Sequence, residues 1–179
     1  LAPDNGDRII RGKTATELIF DDDSLVNGTQ TDTMPKIKIQ RKCPDMDYMC
    51  EAGNRLWGCK GDTIYCTALG DIFNWYRYDG LDTDSWAVDT GTAGDFTGCI
   101  NYLGYPTFFK EDRIFKVYGN LPSNFQLMAT ATLGVAPGSG KSLAIAGDVL
   151  FYLSTSGFMA YTGSMPQPVG EAFGDIRFT

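Results

Sequence analysis

The sequence predicts an all-β chain built from repeated hairpins, and three observations predict it. First, a phrase recurs: an apolar strand, a tight polar break, a second strand, then Gly-x-(Leu/Met)-Pro. Its copies are Thr107–Phe109, Lys110–Arg113, Ile114–Tyr118 with Gly119-Asn120-Leu121-Pro122, and Val149–Leu153, Ser154–Gly157, Phe158–Thr162 with Gly163-Ser164-Met165-Pro166. Second, a weaker copy precedes them (Asn54–Trp57, a Gly61-Asp62 turn, Ile64–Leu69, Gly70-Asp71-Ile72-Phe73), so the second strands open at Ile64, Ile114 and Phe158. Self-similarity at roughly 40–50 residues with hairpins as the unit is the pattern of radial β arrays. Third, no window sustains a 3.6-residue period over three turns, which argues against a core helix. The expected architecture is a propeller-like array of short antiparallel hairpin sheets, partial or few-bladed, with about three repeats.

Each element follows from local chemistry. Residues 1–45 read as an irregular N-terminal segment with strands, and residues 46–179 as the propeller-like β domain. Leu1–Asp7 is polar and punctuated by Pro3 and Asn5-Gly6, hence a loop. Thr16–Phe20 reads as a strand, Asp21-Asp22-Asp23-Ser24 as an acidic turn and Asn27-Gly28-Thr29 as a turn rather than a glycosylation site. Thr33-Met34-Pro35 leads into Lys36–Arg41, whose alternating charged and apolar residues suit a strand with a solvated, lysine-protected edge. Arg55–Cys59 and Thr63–Thr67 form a hairpin. Phe73–Tyr78 is aromatic-rich and Asp79-Gly80 marks a turn. Leu81–Gly98 is long and polar, anchored by Trp86 and Val88. Further strands are expected at Phe96–Tyr102, Thr107–Phe109, Ile114–Tyr118, Phe125–Val135, Lys141–Ala146, Val149–Leu153, Phe158–Thr162 and Glu171–Phe173. A lone hairpin cannot bury its stripe of aromatic and aliphatic residues, so hairpins must pack on hairpins. At the closing phrase glycine permits a positive φ and proline ends ladder pairing.

Composition narrows the function classes. The chain has 179 residues, is 43% hydrophobic and 21% charged, and carries a net charge of −7. That suits one globular domain. The acidity argues against nucleic-acid binding, which rests on clustered Lys and Arg. No apolar run approaches the roughly 20 residues that a membrane-spanning helix requires. The start at Leu1 is read as a processed product or an excised piece, and Asp175–Thr179 as a strand cut short.

Histidine is absent, which removes Ser-His-Asp and Cys-His nucleophilic sites and histidine-ligated metals from this chain. Gly134–Ser142 imitates a phosphate-binding loop, but five residues separate Gly134 from Gly140-Lys141-Ser142 where four are needed, and Ser142 opens a strand instead of a helix. Asp79, Asp82, Asp84, Asp89 and Asp95 do not follow the EF-hand spacing. Asp82-Thr83-Asp84-Ser85 reads as turn chemistry, a structural cation site being the other reading. Sialidase chemistry needs clustered arginines, and the seven present form no box. Cys43, Cys50, Cys59, Cys66 and Cys99 read as semi-buried free thiols. A four-thiolate zinc site is the alternative, although both C-x₆-C spacings are looser than the usual close pairs. Cys59 and Cys66 lie on the two strands of one hairpin, where they could face each other.

Several phrases carry a resemblance. Asn54-Arg55-Leu56-Trp57, Gly61-Asp62-Thr63-Ile64-Tyr65, Ala68-Leu69-Gly70-Asp71 and Asn74-Trp75 resemble a stretch of the β-propeller-like virion proteins of tailed bacteriophages and prophages, from the head–tail connector or tail region. Gly98–Tyr102, Phe108–Gly119 and Gly134–Gly163 are similar to later blades of those proteins. The match covers roughly residues 50–175 and departs at Asp71-Ile72-Phe73, where the pattern more often has proline. The resemblance implies a non-enzymatic assembly component in the virion, or in the bacterial cytoplasm during assembly, whose partners are other virion proteins or copies of itself. No catalytic, cofactor-binding or metal residue is carried over. The competing expectation is a carbohydrate-binding module or glycosidase on the same fold, with Trp75, Tyr76, Tyr78 and Trp86 as a stacking platform.

Overall fold

The computed structural model describes residues 10–13, 18–20 and 43–169. Contacts divide the chain into two units, Leu1–Ile39 and Gln40–Thr179. Of the first, the described part is an antiparallel pair, β1 (Ile10–Lys13) and β2 (Leu18–Phe20). The expected strands Lys36–Arg41 and Glu171–Phe173, and the turns over residues 21–35, lie outside the described residues.

The second unit is all-β. Its only helical pieces among the described residues are two three-residue 3₁₀ turns, Pro122–Asn124 and Gly140–Ser142. Three antiparallel sheets of four strands follow one another, each a meander with neighbouring strands consecutive in sequence. The first holds β3 (Tyr48–Ala52), β4 (Arg55–Lys60), β5 (Thr63–Cys66) and β6 (Trp86–Asp89). The second holds β7 (Gly98–Tyr102), β8 (Tyr105–Phe109), β9 (Arg113–Tyr118) and β10 (Gln126–Ala131). The third holds β11 (Ala144–Ala146), β12 (Val149–Ser154), β13 (Gly157–Tyr161) and β14 (Gln167–Pro168).

The hairpins occur where alternation and turn chemistry place them, and the outer strands differ from expectation. Trp86 and Val88 do more than anchor a loop: they belong to β6, which pairs with β5 through Cys66↔Trp86 and Ile64↔Val88. β3 was not anticipated, because Tyr48–Ala52 mixes Met, Cys and Glu without an apolar stripe. β10 ends at Ala131, short of Val135. Its continuation folds back so that the Gly134 amide donates to the Glu111 carbonyl at 2.9 Å. Lys141–Ala146 splits into a 3₁₀ turn and the short β11. The repeated closing glycines have the backbone their phrase requires, with φ of 105° at Gly119 and 103° at Gly163.

Strand alternation gives the middle sheet two buried faces. Phe108, Phe115 and Val117 join Ala52, Trp57, Cys59, Ile64 and Cys66 of the first sheet in one core. Phe109, Ile114 and Tyr102 join Leu150, Tyr152, Met159 and Tyr161 of the third sheet in a second core. The three sheets are thus stacked face to face, with two hydrophobic seams between them. In the first seam Trp57, Trp86 and Phe125 meet edge to face, with centroids 5.1 Å apart for Trp57–Phe125 and 5.5 Å for Trp86–Phe125. Such ring pairs add about 0.5–1.5 kcal/mol each beyond area burial.

The chain order puts equivalent connections at one end. The β4–β5, β8–β9 and β12–β13 turns and the sheet-to-sheet crossings over residues 90–97 and 132–143 share an end. The β3–β4, β7–β8 and β11–β12 turns and the third-to-fourth-strand loops occupy the other. No helix among the described residues is long and apolar enough to cross a membrane.

A candidate interaction loop, and the cleft at the opposite end

The longest third-to-fourth-strand loop, residues 67–85, is built around a buried guanidinium. Arg55 opens β4 and is 2% exposed. Its Nη1 donates to the carbonyls of Thr67 (2.7 Å) and Asp84, and Nη2 to the carbonyl of Asp82 (2.9 Å). The guanidinium also lies over the Phe125 ring, 5.7 Å from its centroid. The Asp84 carboxylate turns the other way and accepts from the amides of Gly80 (2.6 Å) and Leu81 (2.9 Å). Burial opposes its ionised form, but those amides and Arg77 outweigh it and hold the Asp84 carboxyl below its ordinary value. Asp82-Thr83-Asp84-Ser85 is therefore turn chemistry whose carbonyls enclose the chain's own cation. Among the described residues no group of three or more Asp, Glu or Cys is placed to hold a metal ion.

The loop is prestructured. Ala68 bridges Asp71, the Leu69 amide donates to the Thr83 carbonyl at 2.9 Å, and the Ala68 amide to the Asn74 carbonyl at 2.7 Å. The Ser85 hydroxyl donates to the same Asn74 carbonyl at 2.8 Å. From this frame large apolar side chains project into solvent: Leu69 is 41% exposed, Ile72 49%, Phe73 73% and Leu81 51%. Single exposed apolar residues mean little, but four on one rigid loop form a surface suited to contact. Rigidity lowers the ordering cost of binding. Asp71, Asp79 and Asp82 flank the projecting side chains, and the one loop cation, Arg77, is engaged by Asp79 (3.1 Å) and Asp84 (3.5 Å).

The four aromatics considered as a stacking platform are not brought together on the surface. Trp75 is 3% exposed and Trp86 packs into the first seam. Tyr76 is half-buried and Tyr78 exposed.

At the opposite end a cleft of about 630 Å³ opens across both seams, lined among others by Tyr48, Asp95, Phe96, Glu111 and Leu133. Lys110 forms part of its wall, but its ammonium points inward, to Asp62 Oδ1 at 2.8 Å and the Thr92 carbonyl at 2.6 Å, over the Phe96 ring. The hydrogen bonds from Lys110 and then Thr90 hold the Asp62 carboxyl below its ordinary value. The segment Gly134–Ser142 also skirts this cleft. Its Gly140–Ser142 turn has three residues and leads into β11, so no helix N-terminus faces a phosphate.

The cysteines do not form a four-thiolate site. Cys59 pairs with Ile64 and Cys66 with Trp57, so the two are not opposite each other. Cys43 is exposed, Cys66 lies near Arg55, and Cys50, Cys59 and Cys99 meet in the first seam. Burial pushes the Cys59 thiol up to about 12 and the Cys66 thiol up to about 11.

Comparison of the chain with known protein families and with curated proteins finds no match in either.

Arg55, Lys110 and Lys116 are the polar residues that sequence reasoning passed over. Lys116 is 8% exposed, with its ammonium 5.1 Å from the Tyr102 ring, 5.0 Å from Tyr105 and 5.4 Å from Tyr118. The signal available was a cation inside an apolar run, Ile114-Phe115-Lys116-Val117, where a solvated residue has no place.

Proposed function

We propose that this chain is a non-enzymatic assembly component, propeller-like in architecture and partial or few-bladed, that works through protein–protein contacts in a tailed phage or prophage particle. The observation that carries this reading is the rigid loop over residues 67–85, which projects Leu69, Ile72, Phe73 and Leu81 from the end of a stack of meanders. Consecutive four-stranded meanders of one polarity are also what blades require. The phrase-level resemblance supplies the particle. Its partners are other virion proteins or copies of itself, and its location is the particle or the bacterial cytoplasm during assembly. The sugar-binding reading has less support, since Trp75 and Trp86 are committed to packing.

The test is co-sedimentation of the tagged chain with tailed particles from an induced lysogen that encodes it, alongside its mass in solution and a glycan array. Co-sedimentation that Phe73→Ser weakens at least tenfold supports the reading. A chain that stays in the supernatant and binds a glycan overturns it.

A further inference from the structure

The first seam holds a pair of thiols from different sheets. Cys50 lies on the face of β3 that carries Tyr48 and Ala52 against the second sheet, and Cys99 on the face of β7 that carries the row Phe108–Phe115 against the first. β3 and β7 pack against each other across the seam, which sets Cys50 and Cys99 on facing sheets against the same core. Both residues are half-buried. Cys59 is nearby but fully buried, its thiol aimed at the Tyr48 carbonyl at 3.8 Å.

We propose that Cys50 and Cys99 are an oxidation site, a dithiol that hydrogen peroxide closes to a disulfide, locking the first sheet onto the second. One thiol loses its proton and attacks a peroxide oxygen; hydroxide leaves and a sulfenic acid forms. The second sulfur displaces that hydroxyl as water. Two thiols are oxidised by two electrons and one peroxide is reduced to two waters. The bond joins strands distant in sequence, so it restricts the unfolded chain and raises stability. The neighbouring Cys50 thiol, and then burial, push the Cys99 thiol far up. The closure is accordingly slow compared with oxidation of an exposed low-pKa cysteine. This site is independent of the loop over residues 67–85 and of the assembly reading.

The experiment treats the folded full chain, in a Cys43→Ser background, with hydrogen peroxide, blocks remaining thiols, and maps non-reduced tryptic peptides. Cleavage after Lys42, Arg55, Lys60, Arg77 and Lys110 puts Cys50, Cys59, Cys66 and Cys99 on four separate peptides. The expected product links 43–55 to 78–110 and has lost two hydrogen atoms. It unfolds at higher urea, dithiothreitol reverses the shift, and Cys99→Ser abolishes both effects while Cys66→Ser leaves them. A linkage through Cys59 or Cys66, or no linkage after peroxide exposure many times longer than complete oxidation of the exposed Cys43 takes in the unsubstituted chain, overturns the proposal.

Discussion

Lys110 and Asp62 bind the second sheet to the first: a lysine 1% exposed places its ammonium 2.8 Å from a carboxylate on the neighbouring sheet's turn. The Thr92 carbonyl accepts a second hydrogen bond from the same ammonium at 2.6 Å, which also lies over the Phe96 and Phe115 rings. Burying that charge is tolerable only because its donors are met.

Asp62→Ala leaves the ammonium with one fixed acceptor. Because Asp62 is 41% exposed and water can partly replace it, the expected cost is about 2 kcal/mol, below the range for a fully buried pair. Lys110→Met together with Asp62→Ala is expected to recover part of that loss, since no unpaired charge remains. Urea midpoints of the two single variants and the double variant decide it, and a double variant worse than the sum of the singles contradicts this account.

The same pair makes an acid-dependent contribution. The folded Asp62 carboxyl titrates below its unfolded value, so its stabilisation is complete above about pH 4 and disappears as pH falls through the folded value. Between pH 6 and pH 3 the urea midpoint of the parent chain should fall further than that of Asp62→Asn. Equal falls would remove the link.

Arg55→Met would leave the carbonyls of Thr67, Asp82 and Asp84 without their donor, at a cost of about 3 kcal/mol. The loop over residues 67–85 should then become the first site of limited proteolysis, while the turn at Glu111-Asp112 stays resistant. Arg55→Lys recovers little, since an ammonium lacks the planar fork that spans these carbonyls.

Gly134 has no room for a side chain. A Cβ there would lie 2.0 Å from the Lys110 carbonyl oxygen and 2.9 Å from that of Arg113, both backbone atoms. Gly134→Ala must displace the crossing to the third sheet, at about 3 kcal/mol or more. Thermal unfolding measures it.

Phe73→Ser removes a side chain that is 73% exposed. Stability should change by less than about 0.5 kcal/mol, so any lost association belongs to the surface and not to the fold. A drop in melting temperature of several degrees would show instead that Phe73 supports the loop.

Much of the local structure was legible in the residues. Phe108-Phe109, the polar break and Ile114–Tyr118 specify a hairpin because alternation and turn preference act over a few residues. The closing Gly119 and Gly163 follow from the same short-range sterics. β6 was harder, because Trp86-Ala87-Val88-Asp89 is four residues long and becomes a strand only beside Thr63–Cys66. Trp75 and Trp86 suit either inter-sheet packing, the favoured expectation, or a stacking platform, because a tryptophan's composition fits both a seam and a binding face, and only its neighbours decide.

Alternation and turn chemistry by themselves determined that this protein is β, that its strands come as consecutive hairpins, and where the chain reverses. The tertiary structure alone decided which sheet each face meets. That choice put Lys110 against Asp62, closed three carbonyls on Arg55, and set Cys50 beside Cys99. The physical reason is range: backbone preferences are fixed by immediate neighbours, whereas a partner across a seam is separated by dozens of residues and chosen by how whole sheets bury their apolar sides.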